Sequence, residues 1–243
     1  MIYDQAEFAV RCEWGAQGVA QLAPISDAVI IVDVLSFTTC VDIAVGRGAT
    51  VYPYGFHNDS ARTYAVAMGA RLADHRRSAA GYTLSPASLL SIPAGTRIVL
   101  PSPNGSTLSV STGATPTLAG CLRNAQAVAA AALSFGNRIA VIPAGERWRD
   151  GSLRPAWEDW IGAGAIIAHL PGRRSPEAAA ALAAFAAARD ELHGALCACA
   201  SGKELIAGGF AGDVELAAAL DASPVAPLLT RGAYHAGKST NDA

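Results

Sequence analysis

Hydrophobic and polar positions along the chain follow two distinct periods. Short, nearly continuous apolar runs at 28–35, 49–54, 96–100, 116–118 and 138–142 have the length and β-branched content of buried strands. Between them, helical spacing of apolar positions marks 38–46, 59–68, 105–112 and 124–135. The resulting β-α-β-α order predicts an α/β fold of three α/β/α layers, with a mostly parallel sheet covered by helices on both faces. The carboxyl half turns helical at 155–170, 175–199, 203–207 and 213–220, before a last short strand near 225–228. Alanine dominates 178–188 and is the best helix former, so this biased stretch reads as helix. No linker or repeat divides the chain, which predicts one domain with a core over about 25–228 and a frayed tail at 237–243.

Composition narrows the function. Although 51% of the 243 residues are hydrophobic, no apolar stretch reaches the roughly 18 to 20 residues of a membrane span. Asp4 and Glu7 stand where a secretory leader would be basic. The five cysteines are scattered without a C-x-x-C pair, as expected of reduced thiols in a cytoplasmic protein. A formal charge of -2 and a pI near 6.2 give no attraction to nucleic acid or to anionic lipid. A small molecule is therefore the expected partner, and the alanine-rich helical half offers a face for a homodimer.

In open parallel sheets the ligand site lies beyond the carboxyl ends of the strands, and four polar clusters fall there. Asp33 ends the run Ile30-Ile31-Val32, and Ser36, Thr38 and Thr39 follow at a helix start. A carboxylate beside free N–H groups suits a metal-bound phosphate, although Ser36 or Thr38 as a plain cap is the competing reading. After the 96–100 strand come Asn104, Gly105, Ser106 and Thr107, where Asn-Gly predicts a tight turn of positive φ and the hydroxyls suit oxyanions. Asn124, just after Cys121-Leu122-Arg123, is a third candidate or simply a helix cap. The fourth cluster runs from Glu146 through Arg147, Arg149 and Arg154 to Glu158 and Asp159, too many charges to bury cheaply, with tryptophans that would be unusual in an exposed loop. Adjacent residues on a helix point about 100° apart, so one of Glu158 and Asp159 can face the site while the other holds a neighbouring loop. Cys40 and Cys121 lack a phosphate-cradling Cys-x5-Arg loop and read as buried thiols, and the histidines show no paired metal spacing.

The order Val32-Asp33-Val34-Leu35-x-x-Thr38-Thr39, Pro103-Asn104-Gly105-Ser106-Thr107, Leu122-Arg123-Asn124-Ala125, Ala144-Gly145 and Glu158-Asp159-x-x-Gly162-Ala163-Gly164-Ala165 resembles the 2-phosphosulfolactate phosphatase family. So does the downstream Ser201-Gly202-Lys203-Glu204-Leu205 through Gly209-Phe210 to Asp213-Val214. The resemblance implies an α/β fold, Mg²⁺, and hydrolysis of a phosphate ester on a small sulfonated hydroxy acid. Carried onto this chain, it implies a metal held by Asp33 with Glu158 or Asp159, a catalytic role for Asn104, and an attacking group that is either water or a carboxylate. Family members commonly carry arginine where this chain has Ser36 and Leu108, and a Gly-Glu-Arg segment looks absent, with His75-Arg76-Arg77-Ser78-Ala79-Ala80 in that region. Either Arg147, Arg149 and Arg154 supply the missing charge or the ligand differs, being a less anionic phosphate ester or a metabolite bound without turnover.

Overall fold

The structure is a computed structural model that describes residues 2–74, 76 and 81–237. Its strands are β1 (Val10–Cys12), β2 (Ala28–Val32), β3 (Thr50–Tyr54), β4 (Arg71–Leu72), β5 (Arg97–Pro101), β6 (Thr117–Gly120), β7 (Ile139–Pro143), β8 (Glu146–Arg147), β9 (Leu153–Arg154), β10 (Pro227–Thr230) and β11 (Ala233–Ala236). All but β8 and β9 form one sheet in the order β1-β7-β2-β6-β10-β11-β3-β5-β4. Pairing is parallel within β1-β7-β2-β6 and within β3-β5-β4. The antiparallel hairpin β10–β11 joins the two halves. The expected terminal strand is therefore one arm of a hairpin that closes the middle of the sheet.

The helices are α1 (Gly15–Leu22), α2 (Phe37–Gly46), α3 (Asp59–Ala67), α4 (Pro86–Leu89), α5 (Gly105–Ser111), α6 (Ala125–Leu133), α7 (Trp157–Ala168), α8 (Pro176–Ala188), α9 (Leu192–Ala198), α10 (Ala200–Ala207) and α11 (Ala211–Ala218). Every residue of β2 is buried, because both of its faces are covered. Ala28, Ile30 and Val32 pack with residues of α6, α7 and α8, whereas Val29 and Ile31 pack with Val19 and Leu22 of α1 and Leu108 of α5. The three-layer architecture follows from that alternation. The single long helix expected over 175–199 is broken by a 3₁₀ turn at Arg189–Glu191 between α8 and α9. Alanine-rich sequence favours helix throughout but does not specify where packing turns the axis. Of the expected tail, Gly237 hydrogen-bonds back to Ala226, and 238–243 lie outside the described residues, as do His75 and 77–80.

α7 has a packing reason for its two glycines. A Cβ at Gly162 would lie 2.6 Å from Val34 and 2.9 Å from Val32, and one at Gly164 would lie 2.1 Å from the carbonyl oxygen of Ala181. The helix is thereby drawn against the end of β2 on one side and α8 on the other, which brings its first turn, Glu158 and Asp159, over the loops that follow β2 and β7. No described helix is long and apolar enough to cross a membrane.

Candidate active site

The site is built where β2, β5, β7 and the start of α7 meet. The turn after β2 is closed locally: Thr38 Oγ1 donates to the Asp33 carbonyl and receives the Asp33 N–H, and Thr39 Oγ1 donates to the Val34 carbonyl. These two threonines are fully buried and serve the turn. With its backbone so fixed, Asp33 receives the Phe37 N–H on Oδ1 at 3.2 Å and the Gly105 N–H on Oδ2 at 2.8 Å. Ser102 Oγ also approaches Oδ2, at 3.4 Å.

Gly105 has no positive φ, contrary to the tight-turn expectation; it is the first residue of α5. Its lack of a side chain matters for a different reason. A Cβ there would sit 2.4 Å from the Phe37 ring and 2.7 Å from Asp33 Oδ2. The residue is small so that α5 can deliver an N–H to Asp33. Ser106 turns away from the site to donate to the Leu100 carbonyl, and Thr107 keeps a buried hydroxyl with no described partner. Asn104 points across the site and donates from Nδ2 to Glu146 Oε2 at 2.9 Å.

Glu158 and Asp159 divide their work. Asp159 Oδ1 accepts the Val34 N–H at 2.7 Å and Oδ2 accepts the Gly145 N–H at 2.9 Å, so it staples the loop after β2 to the loop after β7. Both of its oxygens hold backbone N–H groups, as do both oxygens of Asp33. Glu158, 2% exposed, has a buried Oε2 with no hydrogen-bond partner among the described residues. Such an orphan is costly unless something occupies the space in front of it.

Electrostatics sets this group apart. Burial raises the Asp33 carboxyl above its ordinary range, the Glu158 charge adds to the rise, and the N–H donors oppose it. Burial and the charges of Asp33 and Glu158 lift Asp159 well above its ordinary range. Burial, then the Asp33 charge, push Glu146 up to about 7. The carboxylates thus crowd one another, an arrangement that calls for protons or a cation.

The remaining expected residues are placed plainly. Asn124 is fully buried with Oδ1 receiving the Cys121 N–H and Nδ2 donating to the Ala119 and Val225 carbonyls; it is a structural clasp rather than a ligand group. Arg147 and Arg149 are exposed, Arg147 reaching only the Gly151 carbonyl among described partners, and neither is brought to the carboxylates. Arg154 is, because the β8–β9 hairpin sets it opposite Glu146. Its guanidinium lies over the exposed Trp148 ring and its charge pulls Glu146 down. Trp160 instead stacks on Trp14 at 5.2 Å. Leu108 belongs to the apolar core. Ser36 receives a hydrogen bond from Arg76 at 2.9 Å. Burial pushes the thiols of Cys40 and Cys121 up, away from a nucleophile's range, and all five cysteines are free. The sequence places Glu146 in the fourth cluster and Arg76 in the segment 75–80 without giving either a role; the Asn104 pairing that marks Glu146 is visible only in three dimensions.

A probable 2-phosphosulfolactate phosphatase from Carboxydothermus hydrogenoformans is 32% identical over 211 residues, covering 82% of this chain and 85% of that protein. The family model described as 2-phosphosulpholactate phosphatase matches residues 17–232, a span that holds every residue of the site just built. The chain therefore belongs to the 2-phosphosulpholactate phosphatase family, and its class of reaction is hydrolysis of a phosphoric monoester.

Proposed function

We propose that the protein is a Mg²⁺-dependent phosphatase acting on a small phosphorylated hydroxy acid, with 2-phosphosulfolactate the first substrate to test. The observation that carries the cation is the buried, unpartnered Oε2 of Glu158 among carboxylates that raise one another. Among the described residues no group of three or more His, Cys, Asp or Glu side chains is arranged as a metal cage. Mg²⁺ does not need one: it usually takes one or two carboxylates and completes its octahedron with waters and substrate phosphate oxygens. The residues present fit that demand, with Asp33 and Glu158 as the ligands. Bound there, the ion would neutralise the phosphoryl oxygens.

The protein's own groups do the rest. Gly105 and Phe37 fix Asp33 through their N–H groups, and Asp159 holds the two strand-end loops at a set separation. Phosphoryl transfer depends mainly on such positioning and on charge stabilisation. Glu146, at about 7, is matched to hold a proton at its carboxyl oxygen and give it to the departing ester oxygen at neutral pH. Asn104 orients that carboxyl. The test is release of inorganic phosphate from a panel of organic phosphates with Mg²⁺ and with chelator. Turnover that requires Mg²⁺ supports the reading, whereas binding of these esters without any turnover defeats it.

A further inference from the structure

We infer that Arg76 is the specificity-determining cation of this site, receiving the second anionic group, a carboxylate or sulfonate, of a phosphate ester whose phosphate lies at Asp33 and Glu158. The inference rests on the phosphatase reading above and names what that reading leaves open, the feature by which one ester is chosen over another.

Position 36 carries a serine, yet a guanidinium is delivered to it from elsewhere. Arg76 Nη2 donates to Ser36 Oγ at 2.9 Å and also to the Leu84 carbonyl. Nη1 donates to Asp213 Oδ2 at 3.0 Å, and the guanidinium carbon lies 5.4 Å from the centre of the Phe210 ring. Described partners engage three of its five N–H groups, and its side chain is 20% exposed while Asp213 is 1% exposed. The head group is held by Ser36, the Leu84 carbonyl and Asp213 and keeps part of its surface exposed among the described residues.

The anchor is itself built. Asp213 Oδ1 receives Ser85 Oγ at 2.6 Å and the Ala87 N–H at 3.1 Å, so its carboxylate cannot swing away with the arginine. On the other side, Ser36 precedes Phe37, whose N–H holds Asp33 Oδ1. Arg154 stands at Glu146, within the carboxylate group, so the two arginines reach the site from different elements. A guanidinium held at Ser36, one residue before the Phe37 whose N–H holds Asp33, suits a carboxylate or sulfonate one or two carbons from the phosphate.

The experiment compares 2-phosphosulfolactate with p-nitrophenyl phosphate, which has no second anionic group, in the wild type, Arg76→Ala and Arg76→Lys. The lysine variant keeps a charge for Asp213 if the alanine variant folds poorly. Loss of one charge-assisted hydrogen bond predicts a KM for 2-phosphosulfolactate raised roughly 10- to 150-fold with kcat little changed, and a kcat/KM for p-nitrophenyl phosphate within about threefold of wild type. Equal losses on both esters, or no loss on either, would overturn the assignment. Wild-type protein that hydrolyses neither ester would instead overturn the phosphatase reading on which it rests.

Discussion

Two groups of buried charge lie at opposite ends of α2, and burial pushes the carboxylates of both upward. At the far end, Asp42 receives Arg123 Nε at 3.0 Å and Ser223 Oγ at 2.6 Å, and both neighbours pull its carboxyl back down. Arg123 also donates to the Leu216 carbonyl, and Asn124 beside it has every side-chain group engaged. At the near end, the charges of Asp33 and Glu158 push their carboxylate neighbours in the same direction as burial, opposed by backbone N–H groups at Asp33 and Asp159 and by Asn104 and Arg154 at Glu146. The first group matches its one carboxylate with an arginine. The second gathers the carboxylates of Asp33, Glu146, Glu158 and Asp159 with Arg154 as the one described cation that acts on Glu146, and that surplus of negative charge, rather than burial or acidity, distinguishes a site from a structural knot.

The comparison is broken or sharpened by substituting one residue in each group. Asp33→Asn should lower kcat/KM by about three orders of magnitude, because it removes a charge that meets the ion and the phosphoryl group. Its melting temperature should change little, since one of several crowded charges is gone while the amide nitrogen can no longer accept one of the two backbone N–H groups; steady-state kinetics and calorimetry on the same sample check both halves. Asp42→Ala should do the reverse. Leaving Arg123 without its partner should cost roughly 3 to 5 kcal/mol of stability, while KM stays within about twofold of wild type in denaturant and kinetic measurements. Equal behaviour of the two variants would erase the distinction.

Smaller effects test the geometry. Gly105→Ala places a methyl against Phe37 and Asp33 Oδ2, and overpacking of this kind costs roughly 1 to 3 kcal/mol. Because the clash falls on Asp33, activity should fall along with the melting temperature. The smallest effect is in pH dependence. Glu146 ionises at 4.5 when unperturbed and at about 7 in the fold, so between those values the native state keeps a proton that the unfolded chain releases. Metal-free protein should therefore lose stability as pH rises from 4.5 through about 7, and Glu146→Gln should flatten that slope in urea midpoints taken at pH 5.5 and 8. Added Mg²⁺ should restore stability at pH 8 in the wild type.

The fold was largely legible in the sequence because a buried parallel sheet requires unbroken apolar runs. The five runs before residue 145 became β2, β3, β5, β6 and β7, with ends shifted by at most three residues. β1 is only three residues long, and β10–β11 pair in the middle of the sheet through contacts distant in sequence, so local pattern reveals neither their place nor their order. In the site, Asp33 was legible from its position after β2. The division between Glu158 and Asp159 was open in the sequence as a matter of helix geometry, and only the Val34 and Gly145 N–H groups decide it. Arg76 illustrates the limit most clearly. A missing arginine at position 36 reads as a missing charge along the chain, yet a guanidinium arrives from 40 residues away in sequence.

The most direct test of the central claim, that the carboxylates at the end of β2 await a cation, is calorimetric titration of Mg²⁺ into the metal-free wild type and into Glu158→Gln. The account predicts one site in the wild type, at least tenfold weaker binding in the variant, and Mg²⁺-dependent release of phosphate that fails with it. Equal Mg²⁺ affinity in the two proteins, or phosphate release that proceeds undiminished in the presence of chelator, would contradict it.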